Sequence, residues 1–464
     1  MNPDFAAVVL AAGLGTRMRS RQAKVLHRVG GKSLIEWVAS TATGLLAAEK
    51  VFLVVGHQAE QVRRTLDRAG VRFLHQEQQL GTGHAVLIGR EELSAAAPRL
   101  LVLYGDTPLV RSETLAELMR RHMEAGAAAT VLTTRLDDPT GYGRIVRGAS
   151  GDVEAIVEEK AATPAQKAIS EINSGIYCFE TGPLFEHLAR VRPDNPPGEY
   201  YLTDVIGALV AGGLPVATST LDDAAEVLGI NTRVDLAQVD EILRRRKVRE
   251  LMLAGVTIER PESVTVDADV SIGQDTLVEP FVRLLGRTCI GSACRIGAFS
   301  VVGNSVLGDD VVIEPWSWIN ESQVEEGARI GPFARLRTGN RVEAGARVGN
   351  FVELKMTHLG RRSKALHLAY LGDSTIGADV NVGAGTITCN YDGTAKHQTV
   401  IEDGAFVGSN STLVAPIRIG AGAYVAAGSA LTEDLEPAAL GIARARQSVK
   451  PGWASRRKKK PAGG

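Results

Sequence analysis

The sequence predicts two domains of different fold class, an α/β domain followed by a parallel β-helix. Three observations in the 464 residues support this prediction. Up to about residue 230, short apolar runs alternate with helix-like stretches, which is typical of a mainly parallel sheet covered by helices. After about residue 260, helical periodicity gives way to a six-residue repeat, the pattern of a parallel β-helix. Glycine is in excess at 50 residues, and the excess is shared by both halves.

The bulk composition excludes several classes of protein. The formal net charge is −1, so no global field attracts nucleic acid or an anionic membrane. No apolar run is long enough to span a bilayer, and the N-terminus lacks the pattern of a signal peptide. The 4 cysteines are too few and too irregularly spaced for a disulfide framework or a zinc site. We therefore expect a cytoplasmic protein whose partners are neither nucleic acid nor membrane.

In the first half, the predicted strands alternate with the predicted helices. The strands are Ala6–Leu10, Val51–Val55, Val71–Leu74, Leu100–Leu103 and Thr130–Thr133. The helices between them are Leu34–Leu46, Ala59–Ala69 and Ser112–Ala125. A connecting helix over Val234–Leu253 is expected to end at Gly255. The predicted boundaries are 1–232 for the first domain, 233–254 for the connecting helix, 255–450 for the β-helix and 451–464 for a basic, disordered tail.

The repeat in the second half has a period of six residues. Val324, Ile330, Leu336 and Val342 are each six positions apart, and a second series of this kind starts at Ile401. In such a repeat the aliphatic side chain points into a narrow prism, and an adjacent glycine lets the chain turn the corner. About 18 residues form a coil of three strands, and each coil buries its apolar edge on the next. Most of these aliphatic residues are therefore core, and function is expected where the repeat is interrupted.

A glycine-rich turn, Leu10–Met18, follows the first predicted strand. Such a turn before a helix lets backbone N–H groups approach phosphate. It is not a dinucleotide fingerprint, because Met18 stands where the third glycine is required. Gly31-Lys32-Ser33 is similar to the end of a P-loop, but Leu26 occupies the position of its first glycine. Both of these common nucleotide motifs are therefore rejected.

Leu10–Met18 followed by Lys24 resembles the sugar-1-phosphate nucleotidylyltransferases, and the resemblance covers about the first 230 residues. Further segments match that family in order: Gln79–His84, Tyr104–Asp106, Gly141–Gly143, Glu158, Glu171–Gly175, Gly198–Tyr201 and Gly229–Asn231. The resemblance implies in-line attack of a sugar phosphate on the α-phosphorus of UTP, with Arg17 and Lys24 offsetting phosphate charge. It implies that Asp106 and Asn231 hold Mg²⁺. The residues implied to bind UTP and the nucleotide sugar are Leu10, Ala11, Ala12, Gly13, Lys24, Gln76, Gly81, Thr82, Tyr104, Gly105, Asp106, Gly143, Glu158, Asn173 and Asn231.

In the second half, the informative segments are those in which the repeat is interrupted. They are Asn350–Lys355, Ser363–Asp373, Asn381, Gly383–Gly385 and Thr386–Gly393. His367 stands there in what we interpret as a polar insertion beside the apolar prism. Together with Arg337, these segments closely resemble the acetyltransferase domain of the bacterial bifunctional N-acetylglucosamine-1-phosphate uridylyltransferase/glucosamine-1-phosphate acetyltransferases. Because both halves match in order, the resemblance covers almost the entire chain.

This second resemblance implies that His367 is the general base, which takes a proton from the glucosamine amine as it attacks the acetyl thioester. Glu353 is a candidate to orient the imidazole. The residues implied to bind the sugar phosphate are Arg337, Lys355, Tyr370 and Asn381. Those implied to line the acetyl-CoA groove are Ala384, Asn390, Tyr391, Ser409, Ala427 and Arg444. Thr338 departs from the family, in which proline commonly follows the arginine, but the charge is unchanged.

The two resemblances together imply an α/β Rossmann-like nucleotidyltransferase domain followed by a left-handed parallel β-helix. They imply a homotrimer with acetyl sites between chains, which uses acetyl-CoA to acetylate glucosamine-1-phosphate. With UTP and Mg²⁺ the chain would convert N-acetylglucosamine-1-phosphate to UDP-N-acetylglucosamine, and pyrophosphate would be released. The UDP-N-acetylglucosamine would be a precursor for peptidoglycan and, where present, lipopolysaccharide.

Two alternatives stay open. One is a nucleotidylyltransferase whose β-helix only assembles or regulates it, and the intact His367 and Asn390–Tyr391 argue against it. The other is a non-catalytic regulatory subunit, which would be expected to have lost Arg17, Lys24, Asp106 or Asn231. All four residues are present.

Overall fold

The computed structural model describes residues 3–193 and 198–457, and the chain divides into two compact units, Met1–Leu243 and Arg244–Gly464. The first unit is built on a nine-stranded sheet. Its strands are β1 (Phe5–Leu10), β2 (Val51–Val55), β3 (Arg72–His75), β4 (Arg99–Tyr104), β5 (Ala129–Arg135), β6 (Arg144–Arg147), β7 (Val153–Val157), β8 (Glu171–Glu180) and β9 (Val216–Leu221). Their order is β9-β5-β8-β4-β1-β2-β3, with β6 paired to β8 and β7 paired to β6.

Helices cover this sheet, and one long helix follows it. They are α1 (Leu34–Leu45), α2 (Ala59–Thr65), α3 (Thr82–Leu87), α4 (Arg90–Ala96), α5 (Ser112–Ala125), α6 (Pro164–Lys167), α7 (Thr181–Leu188), α8 (Thr203–Ala211) and α9 (Arg233–Leu253). Short 3₁₀ turns lie at Thr16–Met18, Lys24–Leu26, Ala48–Lys50, Ala224–Val227 and Pro261–Ser263. Strands β1 and β2 are buried along their whole length, which is typical of parallel strands with helices on both faces.

The sheet is mixed, whereas the alternation of strands and helices predicts a mainly parallel one. Strand β8 runs antiparallel to both β4 and β5. Hydrophobic periodicity reports burial and not strand direction, so it could not reveal this reversal. The parallel pairing of β1 with β4 sets Leu10 opposite Tyr104. The loops that follow these two strands therefore leave the same edge of the sheet, where α/β proteins commonly bind ligands.

Gly31-Lys32-Ser33 belongs to a short hairpin that leads into helix α1. Lys32–Ser33 pairs with Arg28–Val29 in a two-stranded hairpin. The Glu36 N–H donates to Ser33 Oγ at 3.3 Å, while the Ser33 N–H donates to the Glu36 carboxylate at 2.7 Å. These reciprocal bonds form a capping box at the start of α1, and they occupy the N–H groups that a phosphate would need.

The second unit is a parallel β-helix with three faces. The first face contains the strands Thr257–Ile258, Leu277–Val278, Arg295–Ile296, Val312–Ile313, Arg329–Ile330, Arg347–Asn350, Lys364–His367, Asn381–Val382, Phe406–Val407, Tyr424–Val425 and Leu440–Gly441. The second contains Thr265–Val266, Arg283–Leu285, Val301–Gly303, Trp318–Asn320, Arg335–Leu336, Glu353–Lys355, Tyr370–Gly372, Ile387–Cys389, Thr412–Val414 and Ala430–Leu431. The third contains Ser271–Ile272, Cys289–Ile290, Val306–Leu307, Ser322–Val324, Asn340–Val342, His358–Leu359, Ser374–Ile376, Thr399–Ile401 and Ile417–Ile419.

Each strand pairs with the corresponding strand of the next coil, and the inward aliphatic residues form one continuous core. Leu284, Leu336 and Leu354 are fully buried examples from the second face. The coils are close to the predicted length, since Leu284 lies opposite Val302 and Leu336 lies opposite Leu354. Stacking identical units in this way buries an apolar edge that no single coil could bury alone.

The position of the interruption differs from the expectation. Leu354 lies opposite Leu371 and Asn350 lies opposite His367, so the coil that contains His367 has ordinary length. His367 therefore ends a regular first-face strand and is not part of an insertion. The insertion occurs one coil later, because Thr388 lies opposite Leu413. Polar residues around His367 occupy outward positions, which leave the buried positions of the repeat intact.

Two features lie at the ends of the second unit. Val248 and Leu251 of α9 join its hydrophobic core, whereas Val239 of the same helix belongs to a core cluster of the first unit. Near the C-terminus Trp453–Arg457 form a short exposed helix, α10, where disorder is expected. The predicted disorder of 458–464 falls outside the described residues. No helix in the described parts of the chain has the length and apolar character needed to cross a membrane.

Candidate active sites

In the first unit, the predicted phosphate and metal residues meet beyond the end of β4. Lys24 Nζ donates to the Asp106 carboxylate and, at 3.3 Å, to Asn231 Oδ1. The same Asn231 oxygen accepts from Arg17 Nη2 at 2.8 Å. The Ile230 N–H donates to the Asp106 carbonyl at 3.0 Å and so ties the two loops together. The fold thus brings cations and oxygen ligands from distant segments to one point.

Gly15 is what lets Lys24 reach this point. Its φ of +61° lies in the left-handed region, and a Cβ there would lie 2.7 Å from Lys24 Cβ. Any larger residue would push Lys24 away from Asp106. The glycine-rich turn therefore acts through side-chain approach as well as through exposed backbone.

Asp106 and Asn231 have the chemistry of a magnesium site. Both offer hard oxygen atoms, and both oxygens already converge on a positive charge, the ammonium of Lys24. Over the described ranges 3–193 and 198–457, no cluster of three or more His, Cys, Asp or Glu side chains could hold a metal ion. Mg²⁺ needs no such cage, because it is usually held by one or two protein oxygens together with substrate phosphates and water. The two residues therefore fit Mg²⁺.

The residues expected to hold the nucleotide line the turns after β1 and β3. Leu10, Ala11 and Ala12 are buried, and Gly13 is the first exposed residue of its turn. The buried Gln76 donates to the Gly81 carbonyl at 3.2 Å.

The Gly81 turn is pinned from its other side. The Gly83 N–H donates to the Tyr200 carbonyl at 2.8 Å, and the Leu202 N–H donates to Thr82 Oγ1 at 3.1 Å. Tyr104 shares a hydrogen bond with Thr82, while burial raises the pKa of its phenol and keeps it neutral. The 80–83 loop is thus held between a strand end and the 200–202 segment.

Gly143, Glu158 and Asn173 lie close together. A Cβ at Gly143 would lie 3.7 Å from Glu158 Oε1 and 3.6 Å from Asn173 Cβ. Thr203 Oγ1 donates to Glu158 Oε1 at 3.1 Å, and Asn173 Nδ2 donates to Tyr177 Oη at 2.7 Å. Burial raises the pKa of Glu158. The backbone at Gly143 thus approaches one carboxylate residue and one amide residue, whose groups commonly bind sugar hydroxyls, and a Cβ there would lie 3.1 Å from Ile156 Cγ2.

In the second unit, the predicted acetyl-transfer residues lie at the two edges of the second face. His367 ends a first-face strand, and after one corner Tyr370 begins the second-face strand. Lys355 lies opposite Gly372 at the far end of that strand. His367 and Lys355 therefore lie toward opposite ends of this strand.

Several charged side chains meet at the far edge. Lys355 Nζ donates to Asp373 Oδ2 at 3.1 Å, and Asn390 Nδ2 donates to the same carboxylate. Lys355 lowers the pKa of the neighbouring Lys396, with a smaller contribution from Arg337. Three cations therefore face one region, as a phosphate dianion requires.

Asp373 and Lys396 are not among the residues that sequence reasoning selects for this site. Asp373 stands inside a segment already singled out, but its two partners are 18 and 17 positions away in the chain. Lys396 reaches the site because the inserted loop folds back on itself, with Tyr391 bridged to Lys396. The sequence does not reveal how the inserted loop folds, so it could not indicate which residues Lys396 lies beside.

The expectation that Glu353 orients His367 is wrong. His367 Nδ1 instead lies 2.9 Å from Asn350 Oδ1 on the coil before it. Glu353 lies opposite Tyr370 on the second face and accepts from Arg337 Nη1 at 3.1 Å. The corner of the β-helix directs the two side chains to different faces.

Residues expected to bind acetyl-CoA form a column that continues from His367, one residue per coil. The Gly385 N–H donates to the Leu368 carbonyl, and the Asn410 N–H donates to the Ala384 carbonyl at 2.7 Å. The Gly428 N–H continues the ladder to the Ser409 carbonyl at 2.8 Å. This column contains His367, Ala384, Ser409 and Ala427. At about 4.8 Å per coil it extends about 14 Å from the imidazole, and its three members after His367 have small side chains.

The remaining predicted residues lie near the C-terminal end of the β-helix, on the first face and on the inserted loop. Arg444 Nη1 donates to the Ala427 carbonyl at 2.9 Å at the far end. Asn381 lies opposite Lys364 on the first face. Tyr391 lies on the inserted loop, 60% exposed, and its hydroxyl donates to the Gly393 carbonyl at 2.6 Å.

The other two histidines of the second half contact carboxylates. His358 Nε2 lies 2.8 Å from Glu343 Oε1, and His397 Nε2 lies 2.6 Å from Asp392 Oδ2. His367 differs, because a neutral amide is its partner at Nδ1. This partner leaves the other ring nitrogen available.

Comparison with known families and proteins agrees with this two-part architecture. Residues 7–172 match the MobA-like NTP transferase domain. Residues 269–304 match the bacterial transferase hexapeptide family with six repeats, and residues 398–433 match the hexapeptide repeat of succinyl-transferase. The hexapeptide repeats and the three parallel sheets are consistent with the left-handed β-helix that the sequence resemblance implies.

Curated relatives match along nearly the whole chain. The bifunctional protein GlmU of Solibacter usitatus is 55% identical, covering 99% of this chain and 98% of the relative. The protein of the same name from Koribacter versatilis is 47% identical, with 98% of each chain covered. That of Fervidobacterium nodosum is 48% identical, with 97% of each chain covered. Both halves are therefore similar to a single kind of protein in their shared order.

Proposed function

Because the chain belongs to the family of bifunctional GlmU proteins, it is a transferase of both uridylyl and acetyl groups, and we propose how its residues divide this work. The first unit transfers UMP from UTP to N-acetylglucosamine-1-phosphate, and pyrophosphate leaves. The β-helix transfers the acetyl group of acetyl-CoA to glucosamine-1-phosphate. The observation that supports this division best is that two separate sets of residues converge, one around Asp106 and one around His367.

For uridylyl transfer, the chain's own residues compensate the charge of the phosphates and hold the two substrates in place. Arg17 and Lys24 offset the charge of the UTP phosphates while the sugar phosphate attacks the α-phosphorus. Glu158 and Asn173 bind the sugar beside Gly143. The pinned loop at Gly81 and Thr82 holds the nucleotide, and Tyr104 closes the site with a neutral phenol. Positioning of this kind accounts for most of the catalysis in phosphoryl and nucleotidyl transfer.

Asp106 and Asn231 are the residues that would hold Mg²⁺, which when bound neutralises developing charge on the phosphate oxygens. Their oxygens currently face Lys24, so this lysine is placed to share the same phosphates. Asn231 stays in position because its N–H donates to Asp235 Oδ2 at 2.8 Å at the start of α9.

For acetyl transfer, the cations Arg337, Lys355 and Lys396 hold the phosphate of glucosamine-1-phosphate at the far edge of the second face. Tyr370 and Asn381 complete the sugar-phosphate site. The sugar amine then attacks the acetyl carbonyl carbon, the carbon–sulfur bond breaks, and His367 takes the proton from nitrogen. The coenzyme A thiolate leaves, and the proton taken up by His367 is returned to its sulfur to give the thiol. The coenzyme extends along the column through Ala384, Ser409 and Ala427 to Arg444, beside Asn390 and Tyr391.

We also propose that the protein is a cytoplasmic homotrimer whose acetyl sites lie between chains. One corner of the β-helix supports self-association: Phe281, Phe299, Trp316, Phe333 and Phe351 stack there, with ring centroids 4.9–5.3 Å apart. Each of the five is 44–57% exposed. A continuous exposed apolar column of this kind is typical of a surface buried by another chain.

Two assays on the purified chain test the proposal. One supplies glucosamine-1-phosphate and acetyl-CoA, and the other supplies N-acetylglucosamine-1-phosphate, UTP and Mg²⁺. Both products are expected, and all substrates together should give UDP-N-acetylglucosamine from glucosamine-1-phosphate. Uridylyl transfer alone would instead identify a monofunctional enzyme with an assembling β-helix, and neither activity would identify a regulatory subunit.

A further inference from the structure

Asn350 and His367 are joined both by their backbones and by their side chains. They lie opposite each other in the pairing of Arg347–Asn350 with Lys364–His367. The Leu368 N–H donates to the Asn350 carbonyl at 3.0 Å, which extends the ladder past the imidazole. Asn350 Oδ1 lies 2.9 Å from His367 Nδ1. The amide is thus a fixed neighbour of the ring.

The two strands that carry this pair are unusual in length. Each has four residues, whereas the other described strands of the first face have two. Gly349 permits this longer pairing, because a Cβ there would lie 1.9 Å from the Leu366 carbonyl oxygen. Any side chain at that position would force the two strands apart just before Asn350. The two strands therefore approach each other closely next to the contact between Asn350 and His367.

The chemistry of the contact fixes the form of the imidazole. An amide oxygen only accepts hydrogen bonds, so the ring must carry its proton on Nδ1 when it is neutral. The lone pair is then on Nε2, the nitrogen on the opposite side of the ring from Asn350. A neutral imidazole in this tautomer can accept a proton only at Nε2.

We propose that Asn350 is a positioning residue for acetyl transfer, which holds His367 in the Nδ1–H tautomer and directs Nε2 toward the attacking amine. The proposal rests on the assignment of His367 as the base. It adds that the Asn350 amide holds the imidazole in the tautomer and orientation that a base requires. During the reaction the proton on the sugar nitrogen moves to Nε2 while the bond from nitrogen to the acetyl carbon forms. Asn350 keeps its single hydrogen bond throughout and touches no substrate.

Two variants of similar side-chain size distinguish the effect of the hydrogen-bond acceptor at residue 350 from the effect of side-chain shape. Asn350→Leu removes the acceptor, whereas Asn350→Asp retains it. Asn320→Leu is a matched control, because Asn320 also ends a β-helix strand, is half-buried, and lies opposite Gly303 with no histidine as its partner in the register. Acetyl transfer is measured for all variants at one pH, and unchanged KM values for both of its substrates report an intact β-helix.

We expect Asn350→Leu to lower kcat for acetyl transfer about tenfold or more, with both KM values within about twofold and uridylyl transfer unchanged. Asn350→Asp should keep kcat within about threefold of the wild type, and Asn320→Leu should leave it unchanged. The proposal would be overturned if Asn350→Leu kept the wild-type kcat. It would also be overturned if Asn350→Asp lowered kcat as much as Asn350→Leu does.

Nitrogen NMR of histidine-labelled wild type gives a measurement that requires no destabilised variant, with His367→Gln to assign the signal. The proposal expects a protonated Nδ1 and an unprotonated Nε2, and the reverse tautomer would refute it. The His367→Gln sample also separates this inference from the proposed function. If His367→Gln kept full acetyl transfer, the assignment of His367 as the base would be wrong. If His367→Gln lost acetyl transfer but Asn350→Leu kept the wild-type kcat, only the role of Asn350 would be wrong.

Discussion

Lys24 Nζ donates to the carboxylate of Asp106, although 82 positions separate the two residues in the chain. This contact shows that the turn after β1 and the loop after β4 meet at one place. It also shows that the carboxylate expected to hold a metal ion already faces a cation.

Removal of divalent metal should separate the two activities. With excess EDTA we expect uridylyl transfer to fall about 100-fold or more, because the phosphate charge is no longer neutralised at Asp106 and Asn231. Acetyl transfer should stay within about twofold, because the site that we propose for it uses His367 and cationic side chains. Both rates are measured on one preparation, and added Mg²⁺ should restore the first. Persistence of uridylyl transfer in EDTA would contradict the metal assignment.

Gly15→Ala should damage the uridylyl site through Lys24. The new Cβ would lie 2.7 Å from Lys24 Cβ, so the ammonium should be displaced from Asp106 and kcat/KM for uridylyl transfer should fall about tenfold or more. Gly126→Ala is the matched control, since Gly126 has a similar φ of +54° but nothing within 4 Å of its Cβ position. The control should cost about 1 kcal/mol of stability and no activity. Equal activity in the two variants would exclude the steric explanation.

Lys355→Met should weaken binding of glucosamine-1-phosphate. A hydrogen bond to a charged group contributes about 1.5–3 kcal/mol, so the KM for this substrate should rise about tenfold or more. The KM for acetyl-CoA should change little. Arg362→Met is the control, because Arg362 also pairs with an aspartate on the next coil, Asp379, but at an exposed position. If both variants raised the KM alike, Lys355 would have no specific role.

Glu158→Gln should stabilise the first unit in a pH-dependent manner. Burial raises the pKa of Glu158 above 4.5, so the folded state binds this proton more tightly than the unfolded chain does. Wild-type stability therefore decreases as the pH rises from about 4.5 through the raised pKa, and the full cost is present above it. The neutral variant avoids this cost, and its melting temperature at about pH 8 should be higher by a few degrees.

At about pH 4 the melting temperatures of wild type and Glu158→Gln should coincide. Glu154→Gln, an exposed change on the same strand, should show no difference at either pH. A pH-independent increase for Glu158→Gln would show that packing, and not the buried charge, is responsible. Calorimetry at the two pH values measures all three proteins.

The periodicity and the motif order were sufficient to predict the two fold classes. Buried runs such as Val51–Val55 and the six-residue series around Leu336 depend only on which side chains leave water, and this information is local. The reversal of β8 is not local, because strand direction depends on partners distant in sequence.

Contacts within the sites were predictable only in part. Motif positions indicated Lys24 and Asp106, but the partner of His367 is set by coil register, which places Asn350 and not Glu353 beside it. A difference of one corner sends a side chain to another face. For the same reason, Lys396 could not be assigned before the path of the inserted loop was known.

The most direct test of two independent sites in one chain is the activity pattern of His367→Ala and Asp106→Ala. Each purified variant is assayed for acetyl transfer and for uridylyl transfer under the wild-type conditions. We predict that His367→Ala loses only acetyl transfer and that Asp106→Ala loses only uridylyl transfer, each by about 100-fold or more. Retention of both activities by both variants would contradict the account.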